Sequence, residues 1–174
     1  MVYNGRMKIA INGFGRIGRS FFRAAHGTPE FDIVAVNDLT DTRTLAYLLK
    51  YDSVYGKYVK EISSDVEHII VEERKIKVSA ESNPVDLPWK ELGVDIVIES
   101  TGLFASGDKA KAHLNAGAKK VVITAPASGV PTLLVGVNDE GFRNPGPITC
   151  NASCTTISTA PVMQILLENF GIEK

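Results

Sequence analysis

Residues Ile9 to Arg19 read I-A-I-N-G-F-G-R-I-G-R, an apolar run that meets glycines at 13, 15 and 18 and passes directly into a helical pattern. A strand joined this tightly to a helix commits the chain to a strand–helix–strand unit, and hence to a sheet with parallel strands. Glycine at 13 permits the tight turn, glycine at 15 lets backbone approach a ligand, and glycine at 18 lets helix and strand pack closely. The start of such a helix offers unpaired N–H groups and the positive end of a dipole, which together suit a pyrophosphate. Three glycines in six positions also occur in ordinary loops, so context decides. Here Asp38 ends the next apolar strand, about 20 residues on, where the dinucleotide fingerprint has an acidic residue.

The apolar runs Met7–Ile11 and Ile33–Asn37 flank a helix expected from Arg16 to Ala25, with Ile17, Phe21, Phe22 and Ala25 on one face. A second helix is expected from Thr40 or Asp41 to Lys50, ended by the stretch Asp52–Gly56. Between Lys57 and Ala80 the texture changes to short strands, Tyr58–Ile62, His68–Val71 and Lys75–Val78, with a hairpin turn at Glu72–Arg74. Alternation then resumes with strand Asp95–Ser100, helix Gly107–Ala116 and strands Lys120–Thr124, Thr132–Val135 and Ile148–Cys150. A last helix is expected from Thr155 to Asn169, burying Val162, Ile165, Leu166 and Phe170. These elements predict an α/β fold: a doubly wound, mostly parallel sheet of Rossmann type with a small antiparallel insertion. Residues 1–6 add nothing periodic and are read as a short disordered extension before a dinucleotide-binding domain at 7–154. Ligands of such sheets bind at the carboxyl ends of the strands.

Composition narrows the partners. The 174 residues carry a net charge of −1, with 44% apolar and 22% charged side chains. No basic stripe interleaves with aromatics, so neither nucleic acid nor an anionic membrane is implied as a partner, and small molecules or other proteins are. No apolar run approaches a membrane span, and Met1–Lys8 lacks a signal-peptide core, so a cytoplasmic protein is expected. Two cysteines, Cys150 and Cys154, are too few for a disulfide framework or a four-ligand zinc site, and no metal is expected.

Asp38 sits where a carboxylate accepts both hydroxyls of an adenosine ribose and repels a 2′-phosphate, favouring NAD over NADP. It can equally cap the next helix or turn. Arg16 can face phosphates or be a solvated helix residue. In N-A-S-C-T-T, Cys154 stands at the entrance to a long helix directly after a strand, where the dipole and backbone N–H groups favour a thiolate nucleophile. The alternative is a small buried hydrophobe, as Cys150 at the end of its apolar strand is expected to be. A cysteine nucleophile facing a nicotinamide suggests attack on an aldehyde, oxidation of the thiohemiacetal by NAD, and release of the thioester by phosphate or water. That chemistry needs a base, usually histidine. None of His26, His68 and His113 is a persuasive partner.

The segments I-N-G-F-G-R-I-G-R, V-N-D-L-T-D, L-L-K-Y-D-S-V-Y-G-K, E-S-T-G-L-F, A-G-A-K-K-V-V-I-T-A-P and N-A-S-C-T-T resemble, in order and spacing, the amino-terminal half of phosphorylating glyceraldehyde-3-phosphate dehydrogenase of a bacterial type. The resemblance runs from Met7 to the end of the chain. It implies a homotetramer, with a second, catalytic domain, that oxidises glyceraldehyde 3-phosphate with NAD and phosphate to 1,3-bisphosphoglycerate in glycolysis. By the same resemblance, Asn12, Gly13, Phe14, Gly15, Arg16 and Ile17 hold the cofactor pyrophosphate, and Asp38 holds the adenine ribose. Ser82 stands where the family usually has an arginine beside the adenine. Thr101, Gly102, Phe104 and Thr124 line the nicotinamide side. Cys154 is implied as the nucleophile, its N–H helping to hold the developing oxyanion, with Ser153 and Thr155 contacting substrate or phosphate.

Two departures qualify these implications. After C-T-T the family commonly has N-C-L-A-P, whereas this chain has Ile157-Ser-Thr-Ala-Pro, which changes the polar start of the helix. The family's catalytic histidine and phosphate site fall beyond Lys174, so residues 155–174 read as a helix leading to a catalytic domain that is absent. The chain is therefore expected to bind NAD weakly and not to turn over alone. The alternatives are the related erythrose-4-phosphate dehydrogenase, or a non-catalytic module that binds NAD or a partner protein.

Overall fold

A computed structural model describes residues 5–173, so residues 1–4 of the expected extension lie outside the described residues. The chain runs β1 (Met7–Asn12), α1 (Arg16–Ala25), β2 (Phe31–Asn37), α2 (Thr42–Lys50), β3 (Tyr51–Asp52), β4 (Gly56–Lys57), β5 (Ile62–Ser64), β6 (His68–Val71), β7 (Arg74–Ser79), α3 (Trp89–Leu92), β8 (Ile96–Glu99), α4 (Gly107–Asn115), β9 (Lys120–Ile123), β10 (Ile148–Cys150) and α5 (Cys154–Phe170). Eight strands form one sheet in the order β10-β9-β8-β1-β2-β7-β6-β5, and β3 pairs with β4 apart from it. Neighbours from β10 to β7 are parallel, while β5 and β6 are antiparallel additions beyond β7. The chain order reverses between β1 and β8, which opens a crevice at their carboxyl ends.

Strand alternation divides the core into two layers. Ile9 and Ile11 of β1 point to one face with Phe14, Phe22, Leu45, Leu49 and Ile69, while Ala10 points to the other with Trp89, Val97, Ala110 and Val121. Both faces of the central strands are thus covered, which is why those strands read as near-continuous apolar runs. Asp41 caps α2, its side chain accepting from Thr44 N at 2.9 Å. Ser106 caps α4, and both caps stop orphaned N–H groups at helix starts.

Four expectations need correction. Ile17, placed on the buried face of α1, is 55% exposed, because that face is carried by Phe22 and Ala25. The first insertion strand is Ile62–Ser64, not Tyr58–Ile62. Thr132–Val135 is not a strand: Thr132 makes one bridge to Cys150, and Asn138 then takes the Leu134 N–H into a turn at 2.8 Å. The face of α5 expected to be buried is open, with Val162, Ile165 and Leu166 about half exposed and Phe170 81% exposed. Nothing among the described residues buries any residue of α5, although Ser153 caps it and Pro161 lies inside it. Among the described residues, no helix is long and apolar enough to cross a membrane.

The turn between β1 and α1 depends on two glycines. Gly13 has φ +87°, and a Cβ at Gly18 would lie 2.2 Å from the Gly13 carbonyl oxygen and 3.1 Å from the Ile11 side chain. Neither neighbour can yield without moving strand or turn. We expect Gly18→Ala to cost about 2–3 kcal/mol of stability by urea unfolding. A loss below about 0.5 kcal/mol, the scale of an ordinary surface change, would contradict the close packing.

Candidate functional site

Asn12, Asn37 and Glu99 end three neighbouring parallel strands in register, Asn12 opposite both of the others. A cleft of about 340 Å³ opens above them, lined by Asn12, Gly13, Gly15, Asn37, Asp38, Leu39, Glu81, Ser82, Ser100, Thr101, Leu103 and Phe104. Its floor is held by backbone: Gly13 N donates to Asn37 O at 2.8 Å, and Ser100 N donates to Asn12 O at 2.8 Å. Ser100 Oγ adds a hydrogen bond to Gly13 O at 2.7 Å, tying the glycine turn to β8.

Asp38 braces this turn from the β2 side. Its two carboxylate oxygens accept from Phe14 N at 2.8 Å and Thr40 N at 3.0 Å. The capping role and the place beside the cleft therefore coexist in one carboxylate. Phe14 sends its ring into the core, edge-on to Phe22 at 5.7 Å, while its carbonyl accepts from Arg19 Nη1 at 2.7 Å. Gly15 is the N-cap of α1, with no side-chain hydrogen bond there, and a Cβ on it would meet nothing within 4 Å. An uncapped helix start beside an open cradle fits the phosphates of a dinucleotide.

Of the other expected cofactor residues, Ser82, Thr101 and Phe104 line the cleft. Arg16, Ile17 and Gly102 are exposed beside it. Thr124, at the end of β9, donates through Oγ1 to Glu99 O at 3.1 Å. Cys154, Ser153 and Thr155 do not line the cleft. They follow β10, three strand spacings from β1, which is about 14 Å. Cys154 is exposed and is the first residue of α5. Ser153 Oγ accepts from Thr156 N at 3.1 Å and lies 2.8 Å from Thr155 Oγ1. Ala152 makes the bend before the helix with φ +62°. Cys150 is buried, 3.2 Å from Thr132 Oγ1.

The three histidines are engaged elsewhere. His26 stacks on Phe22 at 5.2 Å, and burial pushes its pKa down. His68 Nδ1 is 2.9 Å from Asp65. His113 is fully buried against Glu99 and Trp89. The sequence alone does not reveal the last arrangement, because Glu99 and His113 lie 14 positions apart in it. A signal existed in the pattern of a carboxylate and two asparagines ending three apolar strands, which only the register brings together.

Glu99 is 1% exposed. Burial pushes its carboxyl upward, but hydrogen bonds from His113, Thr101 and Asn12 outweigh that and hold it below the ordinary glutamate range.

Fold, glycine turn and cleft together define a Rossmann-type dinucleotide-binding domain. Residues 7–107 match the family model described as glyceraldehyde 3-phosphate dehydrogenase, NAD binding domain. The chain belongs to this family, and NAD is its cofactor. It is 52% identical over 168 residues to the glyceraldehyde-3-phosphate dehydrogenase of Thermotoga maritima, covering 95% of this chain and 50% of that protein. It is 51% identical to that of Geobacillus stearothermophilus, with the same coverage. Glyceraldehyde-3-phosphate dehydrogenase 3 of Saccharomyces cerevisiae is 48% identical over 169 residues, covering 97% of this chain and 51% of the relative. The chain spans about half the length of the curated relatives it matches.

Glu99 and the more exposed Asp65, held down first by its hydrogen bond to His68, both have lowered values in the folded chain. The stability they contribute is complete above their unfolded values, near about 4, and is lost as pH falls through the lower folded values. The urea midpoint is therefore expected to slip modestly between pH 7 and about 5, where the unfolded chain protonates the His26 that burial keeps neutral, and to fall more steeply below about 4. A midpoint held constant down to pH 3 would contradict this linkage.

Proposed function

We propose that this chain is the NAD-binding half of a phosphorylating glyceraldehyde-3-phosphate dehydrogenase and that Cys154 is its nucleophile. The observation that carries the reading is the exposed thiol at the first residue of a 17-residue helix, at the carboxyl end of the same sheet as the cleft. In this reading the start of α1, with Gly13, Gly15, Arg16 and Ile17, holds the pyrophosphate. Asp38 keeps acceptor capacity for the adenosine ribose, since a carboxylate has about four lone-pair sites and two are used. Ser82 flanks the adenine, and Thr101, Gly102, Phe104 and Thr124 flank the nicotinamide. The domain spans 7–154, and α5 leads into the catalytic half.

When bound, the oxidised nicotinamide supplies the hydride acceptor. Cys154 Sγ attacks the aldehyde carbon of glyceraldehyde 3-phosphate and forms the carbon–sulfur bond. The N–H groups of the first turn of α5 receive the carbonyl oxygen as charge develops. Ser153 and Thr155 hydroxyls orient substrate or the inorganic phosphate that later opens the thioester. The thiol proton needs a base that none of the three histidines supplies: His68 and His113 are engaged with carboxylates, and His26 sits at the far end of α1 from the glycine turn. The reading extends to a cytoplasmic homotetramer. The exposed apolar stripe of α5 supports association with a second copy, which strictly monomeric sedimentation would contradict.

A non-catalytic NAD-binding module is the alternative that a test must separate from this reading. Iodoacetamide at neutral pH separates the two. We expect Cys154 to be alkylated at least about tenfold faster than buried Cys150, whereas equal, slow labelling of both supports the module. Supplied with NAD, glyceraldehyde 3-phosphate and phosphate, the chain alone should bind the cofactor without sustained NADH formation. Robust turnover would overturn the inference that no resident base serves Cys154.

A further inference from the structure

Beneath the cleft, Trp89, His113, Glu99 and Asn12 form one hydrogen-bonded chain shut off from solvent. Its polarity can be read atom by atom. The Trp89 indole N–H only donates, so His113 Nδ1, 3.1 Å away, must accept. The imidazole proton is then on Nε2, which donates to Glu99 Oε2 at 2.9 Å. Asn12 presents Nδ2 to the same oxygen at 2.6 Å. Asn12 Oδ1 accepts from Asn37 Nδ2 at 2.7 Å, and Asn37 Oδ1 accepts from Glu81 N at 2.9 Å. On its other oxygen Glu99 accepts from Thr101 N at 2.8 Å and from the Thr101 hydroxyl. Thr101 Oγ1 in turn accepts from Leu103 N at 3.0 Å. Four donors converge on Glu99, and the sense of both carboxamides follows from it.

We propose that Glu99, clamped from behind by His113 and Trp89, is the positioning residue of the dinucleotide cleft, fixing the turn 99–103 on one side of β1 and residue 81 on the other. The proposal rests on the NAD reading of the cleft and adds what holds that cleft in shape. Glu99 reaches the ligand only through Asn12, Thr101 and the backbone they hold. A neutral amide cannot replace it, because it would bring two hydrogens into a ring of donors.

Calorimetric titration of NAD into the full chain tests this. Glu99→Gln is expected to raise Kd by about tenfold or more, the scale of one frustrated buried hydrogen bond. Adding Trp89→Phe removes the indole donor, so His113 can carry its proton on Nδ1 and offer Nε2 to the new amide and to Asn12 Nδ2, 3.4 Å away, which relieves part of the clash. The double variant should recover about threefold or more of the lost affinity, whereas a role limited to packing would make a second core substitution neutral or harmful. A folded Glu99→Gln chain with Kd within about twofold of the parent, or a double variant no better than the single, overturns the proposal. Should Glu99→Gln fail to fold, long-range ¹⁵N–¹H correlation of the unsubstituted chain decides. The neutral Nε2–H tautomer of His113 is expected, and the Nδ1–H or doubly protonated ring refutes the clamp. An unsubstituted chain that does not bind NAD would sink the cleft reading itself, and this proposal with it. One that binds NAD while Glu99→Gln is indifferent sinks the positioning role alone.

Discussion

The hydrogen bond from Asn12 to Glu99 crosses the line where the order of the sheet reverses. Parallel strands β1 and β8 diverge in their connections there, one turning into α1 and the other into the loop before α4, so beyond Asn12 and Glu99 the ladder ends at Ser100, whose N–H reaches Asn12 O and whose hydroxyl reaches Gly13 O. A buried carboxylate in that position is costly unless every lone pair is met. Here the donors come from β1, from α4 and from the turn that follows β8. The cost of burial thus becomes a constraint on geometry: the carboxylate tolerates only the arrangement that also shapes the cleft.

The glycine turn meets the same junction from above. Gly18 lets α1 lie on the Gly13 carbonyl, and Ser100 Oγ grips that carbonyl from β8. Asp38 reaches the adjoining Phe14 N–H from β2. The segment that fits a pyrophosphate is therefore held by three strands at once, while the first N–H groups of α1 have no side-chain cap among the described residues. Rigid backing with an open front is the arrangement a pre-formed site requires.

What was legible in the residues was what local chemistry determines. The turn at Gly13, the cap at Asp41 that starts α2, the apolar strands buried on both faces and the hairpin before β7 each follow from a few neighbouring side chains. The family resemblance, carried by six segments, agrees with the NAD-binding family that residues 7–107 match. The residues are silent where partners distant in sequence decide. Val162 and Phe170 show helical spacing, yet spacing cannot say what lies opposite. Thr132–Val135 has strand composition, but Asn138 captures the N–H a neighbouring strand would need. Glu99 and His113 are 14 positions apart and share a hydrogen bond only because β8 and α4 bring them together. No periodicity records that.

Trp89 is the only tryptophan in the chain, and no part of it reaches solvent. Its indole N–H is committed to the imidazole that backs Glu99. The protein consequently carries a native optical gauge in the one spot where strain at the cleft floor would arrive. Its ultraviolet emission, unmixed with any second indole, reads the state of that interior directly and without a label.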